Sequence, residues 1–156
     1  MGDFLIIGYG NTLRGDDAAG PHVAEAVAAL KLPGVRALPC PMLTPELADA
    51  ISQAGAVLFV DAAVDAPHKV RIRKLRPAKT AQIMAHAASP ATLLALARDV
   101  FGRAPQAWWL TIPAMKFDFG ADFSPETQQG IALALEKIET LCRQPCAAKN
   151  PRMAEK

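Results

Sequence analysis

The chain has 156 residues, a length that suits one domain with a single hydrophobic core. Apolar residues make up 51% and charged residues 21%, which is the composition of a globular protein. The formal net charge of +2 is small, and no block of Lys and Arg precedes the tail, so we expect no nucleic-acid binding.

Apolar runs are far shorter than the roughly 20 residues of a membrane helix, and we find no secretory signal, so we expect no membrane association. The three cysteines are an odd number: Cys142 and Cys146 lie near the end of the chain, and Cys40 is far from both. That pattern suits a reducing compartment better than a disulfide framework, and we expect a cytoplasmic protein.

Short β-rich runs alternate with helical patterns along the chain, which predicts an α/β three-layer sandwich. The sheet should be twisted, mostly parallel and of about five strands, with helices on both faces. Predicted strands cover residues 4–7, 35–38, 56–60, 69–75 and 106–112. In the last strand, Trp108 and Trp109 should point to opposite faces.

A first helix should begin between residues 18 and 21, because Val23, Val27 and Leu30 recur at helical spacing. Three further helices are predicted where a hydroxyl residue at the N-cap precedes a proline: Thr44-Pro45, Ser89-Pro90 and Ser124-Pro125.

Two of these helices carry a clear apolar face. The third predicted helix places Leu93, Leu94, Ala97 and Phe101 on one face and should end at Gly102. The fourth places Ile131, Leu135, Ile138 and Cys142 on one face.

We expect a single α/β domain over residues 1–142 and a disordered tail over 143–156, where little can be buried.

The loop from Gly8 to Asp17 joins the first strand to the first helix, where open α/β sheets bind ligands. Its two spaced glycines suggest a nucleotide site, but Asp16 and Asp17 would repel a pyrophosphate at the helix N-terminus. One aspartate is enough for an N-cap or to complement the helix dipole. The second carboxylate is therefore a candidate functional group.

Two further candidates follow along the chain. Asp61 ends the apolar run 56–60, and a charge beside a buried strand needs a partner or a cation unless it is a turn residue. His86 lies in a loop before the Ser89 cap, where a lone histidine is more often structural than a ligand. For His22 and His68 we favour the structural role.

Two carboxylates and one imidazole form a ligand set suited to Zn, Ni or Mn, with open positions for water or substrate. The sequence contains no HExxH helix, CxxC pair or GxSxG elbow. Ser52, Ser89 and Ser124 occupy helix or cap positions, and Cys40 lacks an evident base, so neither residue type is a favoured nucleophile.

Three segments together resemble the hydrogenase maturation endopeptidases: residues 5–17, Val60-Asp61-Ala62 and Met84-Ala85-His86. The segments 90–102 and Phe123-Ser124-Pro125 also fit that family in order and spacing. The resemblance covers the chain up to its tail.

The resemblance implies an aspartic-type endopeptidase, a hydrolase that removes the C-terminal extension of a [NiFe]-hydrogenase large-subunit precursor after nickel insertion. The metal ligands carried over are Asp17, Asp61 and His86, which would also be the catalytic residues. Nickel would be supplied by the substrate precursor. The fold implied is the same α/β sandwich. Two alternatives stay open: a nickel-sensing chaperone that does not cleave the precursor, and a generic metallohydrolase.

The chain departs from the family pattern at two places. Ala18 stands where a glycine commonly follows the acidic pair, and residues 39–47 replace a Gly-rich loop. That replacement, together with Trp108-Trp109 and Pro113, resembles the branch that serves NAD-linked bidirectional hydrogenases.

Overall fold

The computed structural model describes residues 3–64, 69–79, 89–120 and 122–144. The strands are β1 (Phe4–Tyr9), β2 (Val35–Cys40), β3 (Ala56–Ala63), β4 (Arg71–Leu75) and β5 (Gln106–Pro113). The helices are α1 (Ala19–Ala29), α2 (Leu47–Gln53), α3 (Pro90–Phe101) and α4 (Pro125–Cys142), with a 3₁₀ helix (Gly15–Ala18) before α1.

The five strands form one sheet in the order β2-β1-β3-β5-β4. The pairs β1–β2, β1–β3 and β3–β5 are parallel, and only β4 pairs antiparallel. The carboxyl ends of four strands therefore lie at one edge of the sheet, which we call the carboxyl edge. This architecture confirms the predicted mostly parallel sheet.

Helices cover both faces of the sheet, as the apolar pattern of the strands requires. α1 and α4 pack on one face of the sheet, in the hydrophobic cluster that contains Trp108. α2 and α3 pack on the other face, and Trp109 packs against their cluster. The prediction that these two tryptophans point to opposite faces is confirmed.

Most of the predicted helix boundaries are confirmed by hydrogen bonds. Ser89 Oγ accepts from Thr92 N, and Ser124 Oγ accepts from Thr127 N, each with a proline at the start of the helix. Gly102 ends α3 with φ of 80°. The left-handed conformation there is one that glycine adopts without strain.

Two helix predictions are wrong. Thr44 does not cap α2: its carbonyl accepts from Leu47 N in a turn, and the helix begins only at Leu47. Phe101 was placed on the buried face of α3, but it is 46% exposed and packs against neither core cluster.

A close glycine contact sets where α1 lies. A Cβ on Gly20 would meet the carbonyl oxygens of Tyr9 and Val60, and a Cβ on Gly8 would meet the carbonyl of Gly20. α1 thus approaches β1 and β3 more closely than any larger residue would permit, which brings the preceding 3₁₀ helix to the carboxyl edge. No helix in the described part of the chain is long and apolar enough to cross a membrane.

Candidate active site

Asp61 and Tyr9 meet at the carboxyl edge because β1 and β3 are neighbours in the sheet. Gly8 pairs with Val60, so the next residues along, Tyr9 and Asp61, lie side by side. The Tyr9 hydroxyl donates a hydrogen bond of 3.0 Å to Asp61 Oδ2. β3 continues to Ala63, so Asp61 lies within the strand instead of ending it, which corrects the sequence prediction.

The surroundings of Asp61 favour its neutral form. Burial and, as a smaller effect, the charge of Asp17 together raise its pKa to about 6, against the opposing hydrogen bonds from Tyr9 and from the Ala62 backbone. The two carboxylates therefore interact electrostatically. Burial also raises the pKa of Tyr9, which keeps its hydroxyl protonated as a donor.

The loop after β1 wraps around Asp17. Asn11 N donates a hydrogen bond of 2.8 Å to Asp17 Oδ2, and Asn11 Oδ1 accepts from Leu13 N at 2.9 Å. Gly10 has a φ of 149°, and a Cβ there would meet the Asp17 carbonyl. Only glycine leaves room for the loop to close around this aspartate.

Asp16 has a different environment from its neighbour. It is fully buried, and its Oδ2 accepts from Met115 N, Lys116 N and Ser124 Oγ while its Oδ1 accepts from Ser124 N, all at 2.7–2.9 Å. Burial opposes ionisation, but the hydrogen bonds from Ser124 and Met115 outweigh it and lower the pKa of Asp16. Asp16 thus ties the 3₁₀ helix to the loop after β5 and to the start of α4.

The structure brings together two of the three candidate ligands. Asp17 and Asp61 share the carboxyl edge, whereas His86 lies outside the described residues. Among the described residues there is no cluster of three or more His, Cys, Asp or Glu that could hold a metal.

Where the structure describes them, the surroundings of the other candidate side chains favour a structural role. The His22 ring packs edge-on against Phe123 with centroids 5.3 Å apart. Burial raises the pKa of the Cys40 thiol, which disfavours the nucleophilic thiolate. His68 lies outside the described residues.

The carboxylates of Asp17 and Asp61 have the chemistry of metal ligands. Asp17 Oδ2 accepts from Asn11 N, and Asp61 accepts from the Tyr9 hydroxyl through Oδ2 and from the Ala62 backbone. Two carboxylates at an open sheet edge suit a divalent cation, since they are oxygen ligands of like charge. A third donor would have to come from elsewhere in the chain or from the substrate.

Sequence reasoning missed three residues of this site. Tyr9 orients Asp61, Asn11 orients Asp17, and Ser124 not only caps α4 but also binds Asp16. For Asn11 only the turn was predictable, since asparagine in a Gly-containing loop commonly bonds to the backbone two residues on, as Oδ1 does to Leu13 N. For Tyr9 and Ser124 the partner depends on which strands pair.

Solved structures of hydrogenase maturation proteases are similar to this chain. The hydrogenase maturating endopeptidase HybD from E. coli has a TM-score of 0.70 and 21% identity, covering 90% of this chain and 92% of its own. The [NiFe] hydrogenase maturation protease HycI from Thermococcus kodakarensis KOD1 has a TM-score of 0.72 and 22% identity, covering 91% and 93%. The chain shares their fold.

A third similar structure is the hydrogenase 2 maturation peptidase from Thaumarchaeota archaeon SCGC_AB-539-E09. It has a TM-score of 0.67 and 22% identity, covering 91% of this chain and 99% of that one. No family model matches the sequence, and no curated protein matches it either.

Proposed function

We propose that this protein is an endopeptidase that removes the C-terminal extension of a [NiFe]-hydrogenase large-subunit precursor after nickel insertion. The observation that carries the proposal is the electrostatic interaction of Asp17 with Asp61 at the carboxyl edge, in a chain that shares its fold with maturation endopeptidases. Asp17, Asp61 and His86 are the proposed metal ligands and catalytic residues.

In this proposal nickel arrives as part of the substrate. One nitrogen and two oxygen ligands bind nickel more weakly than a thiolate-rich site does, so the metal stays with the precursor. Asp17, Asp61 and His86 complete its coordination only when the loaded precursor is present. Binding therefore depends on nickel insertion, which sets the order of the maturation steps.

The residues of this chain position the scissile peptide. Hydrogen bonds from Tyr9 and Asn11 fix the orientation of the two carboxylates, so that they meet the substrate nickel in a defined place. Hydrolysis adds a water oxygen to the scissile carbonyl carbon, breaks its C–N bond and passes a proton to the leaving amine. Nickel supplies charge that polarises the carbonyl or the water.

The proposed setting follows from the sequence resemblance. The substrate is the precursor of a NAD-linked bidirectional hydrogenase, and the reaction takes place in the cytoplasm. The solved structures support the fold and carry no information on this branch.

The proposal is tested by incubating the protein with nickel-loaded and nickel-free precursor and measuring the intact mass of each. We expect the loaded precursor alone to be shortened. Shortening of neither form would overturn the endopeptidase proposal, and a stable complex without shortening would indicate a chaperone. Equal shortening of both forms would overturn nickel gating, and zinc retained stoichiometrically after purification would indicate a generic metallohydrolase.

A further inference from the structure

Five large apolar side chains are exposed on the loops at the carboxyl edge, and we call them the apolar rim. They are Leu13, Met42, Val64, Met115 and Phe119. These residues lie on the loops that follow β1, β2, β3 and β5, which are the four parallel strands. The same edge carries Asp17 and Asp61, so the rim and the two carboxylates belong to one surface.

The part of the rim formed by Leu13 and Phe119 is held in place by backbone and side-chain contacts. Gly120 N donates to the Leu13 carbonyl at 3.1 Å, and Gly15 N donates to the Gly120 carbonyl at 3.0 Å. The Arg14 guanidinium lies 5.0 Å from the centre of the Phe119 ring. Leu13 is 65% and Phe119 78% exposed despite these contacts, so the fold presents both side chains to solvent.

The remaining exposed large apolar residues of the described chain are scattered. Leu30, Val100, Phe101 and Leu133 belong to the end of α1, to α3 and to α4. Single exposed apolar side chains are common on proteins, whereas several of them on one surface indicate an interaction site. Among the described residues, only the carboxyl edge combines several exposed large apolar side chains with candidate site residues.

We propose that the precursor protein docks on the apolar rim, through an apolar patch that surrounds the precursor's own metal centre. This inference rests on the proposed function and names the surface that recognises the substrate. A small molecule held by Asp17 and Asp61 would not cover side chains on four loops, but a polypeptide can. The two carboxylates also favour a partner that presents a cation at the middle of the contact.

A second copy of this chain fits the surface less well. Facing copies would bring two pairs of carboxylates together, and like charges that lose water repel each other. The rim is therefore complementary to a cationic centre within an apolar surface, which is what a metal-loaded precursor would offer.

The test compares Leu13→Ser and Phe119→Ser with the matched controls Leu30→Ser and Phe101→Ser. The controls make the same chemical change at exposed positions on the helices. For each protein, kcat and KM are measured from the intact mass of nickel-loaded precursor, and folding is checked by thermal melting. We expect each rim variant to raise KM about tenfold with kcat within about twofold, because each variant loses apolar area that docking would bury while the metal ligands stay unchanged. The controls should change neither constant.

If the rim variants have the same KM as their controls, the proposal that the precursor docks on the apolar rim is wrong, while the endopeptidase activity of the wild type is still established. If the wild type binds the precursor without shortening it, the same four proteins are compared by Kd, and weakened binding by the rim variants alone supports the rim without the proposed function. If the wild type neither binds nor shortens it, both proposals are wrong.

Two further outcomes are decisive. A wild-type dimer that the rim variants convert to monomers, measured by analytical ultracentrifugation, would assign the rim to a second copy and overturn docking of the precursor. If Leu13→Ser lowers the melting temperature, Met42→Ser on the separate loop after β2 takes its place, and an unchanged KM for that variant and Phe119→Ser overturns the rim.

Discussion

Asp16 and Asp17 have the same side chain and adjacent positions but different surroundings. The sequence indicated that one of them would be structural, and the family resemblance selected Asp17 as the ligand. The structure buries Asp16 under hydrogen bonds from residues about one hundred positions later, while Asp17 is held by the loop beside it. No local pattern distinguishes the two aspartates, because the donors to Asp16 depend on how β5 and α4 fold back.

Replacing Asp16 by Asn should lower the free energy of unfolding by about 2–4 kcal/mol. Both carboxylate oxygens accept backbone N–H groups, and an amide has only one oxygen, so at least one N–H would face an NH₂ group. Urea unfolding at pH 7 measures the loss, with Asp49→Asn on the exposed face of α2 as the control. Equal stability of the two variants would contradict the role of Asp16.

Asp61 should make the metal-free protein less stable as the pH rises. Its folded pKa of about 6 lies above the ordinary 3.8, so its contribution to stability is fully present below pH 4 and is lost as the pH rises through 6. Asp61→Asn lacks this ionisation. Its stability relative to wild type should therefore fall by about 2 kcal/mol from pH 8 to pH 4.5.

Denaturant unfolding of both proteins at those two pH values measures this change. A stability difference that stays constant, or that grows toward pH 4.5, would show that Asp61 is not held in a desolvated place.

Removing the Tyr9 hydroxyl should loosen Asp61 without removing a ligand. Tyr9→Phe keeps the ring in the core but deletes the 3.0 Å hydrogen bond, and residues that orient a ligand commonly contribute 10–100-fold to activity. We expect kcat/KM for nickel-loaded precursor to fall about tenfold with an unchanged melting temperature. Unchanged kcat/KM would mean that the hydrogen bond does not position Asp61.

At the scale of elements, sequence patterns predicted the start of a helix correctly where one side chain makes the capping hydrogen bond. Ser89 and Ser124 cap their helices through bonds three residues away, so a short motif was sufficient. Thr44 has the same motif, but its carbonyl closes a turn and the helix starts later. Phe101 has the right spacing for the core, yet it is 46% exposed and belongs to neither core cluster.

A substitution at Gly20 tests whether close packing sets the position of α1. A Cβ there would meet two backbone carbonyls, which cannot rotate away, so Gly20→Ala should cost about 1–3 kcal/mol of stability and displace the 3₁₀ helix that carries Asp17. Gly102→Ala is the comparison, since nothing lies within 4 Å of its added Cβ and only the left-handed conformation is strained. Gly20→Ala should reduce precursor cleavage and Gly102→Ala should not. Equal cleavage by both variants would contradict this packing.

At the scale of the whole molecule, the sequence predicted the fold class but not the strand order. Alternation of strands and helices indicates a layered parallel sheet, whereas the order β2-β1-β3-β5-β4 depends on long-range pairing. That order makes β1 and β3 neighbours, and it therefore decides that Tyr9 meets Asp61. The apolar rim has the same origin, since its residues are isolated in the sequence and come to one edge only when the four strand ends align.

The central claim is that Asp17, Asp61 and His86 act together on nickel-loaded precursor. The most direct measurement is the rate of precursor shortening, by intact mass, for Asp17→Asn, Asp61→Asn and His86→Ala. His22→Ala and Asp49→Asn, at exposed positions outside the site, are the controls. The account predicts that each site variant is at least about 100-fold slower than wild type and remains folded, while the controls match wild type. Cleavage by any folded site variant at the rate of its control would contradict the assignment of that residue.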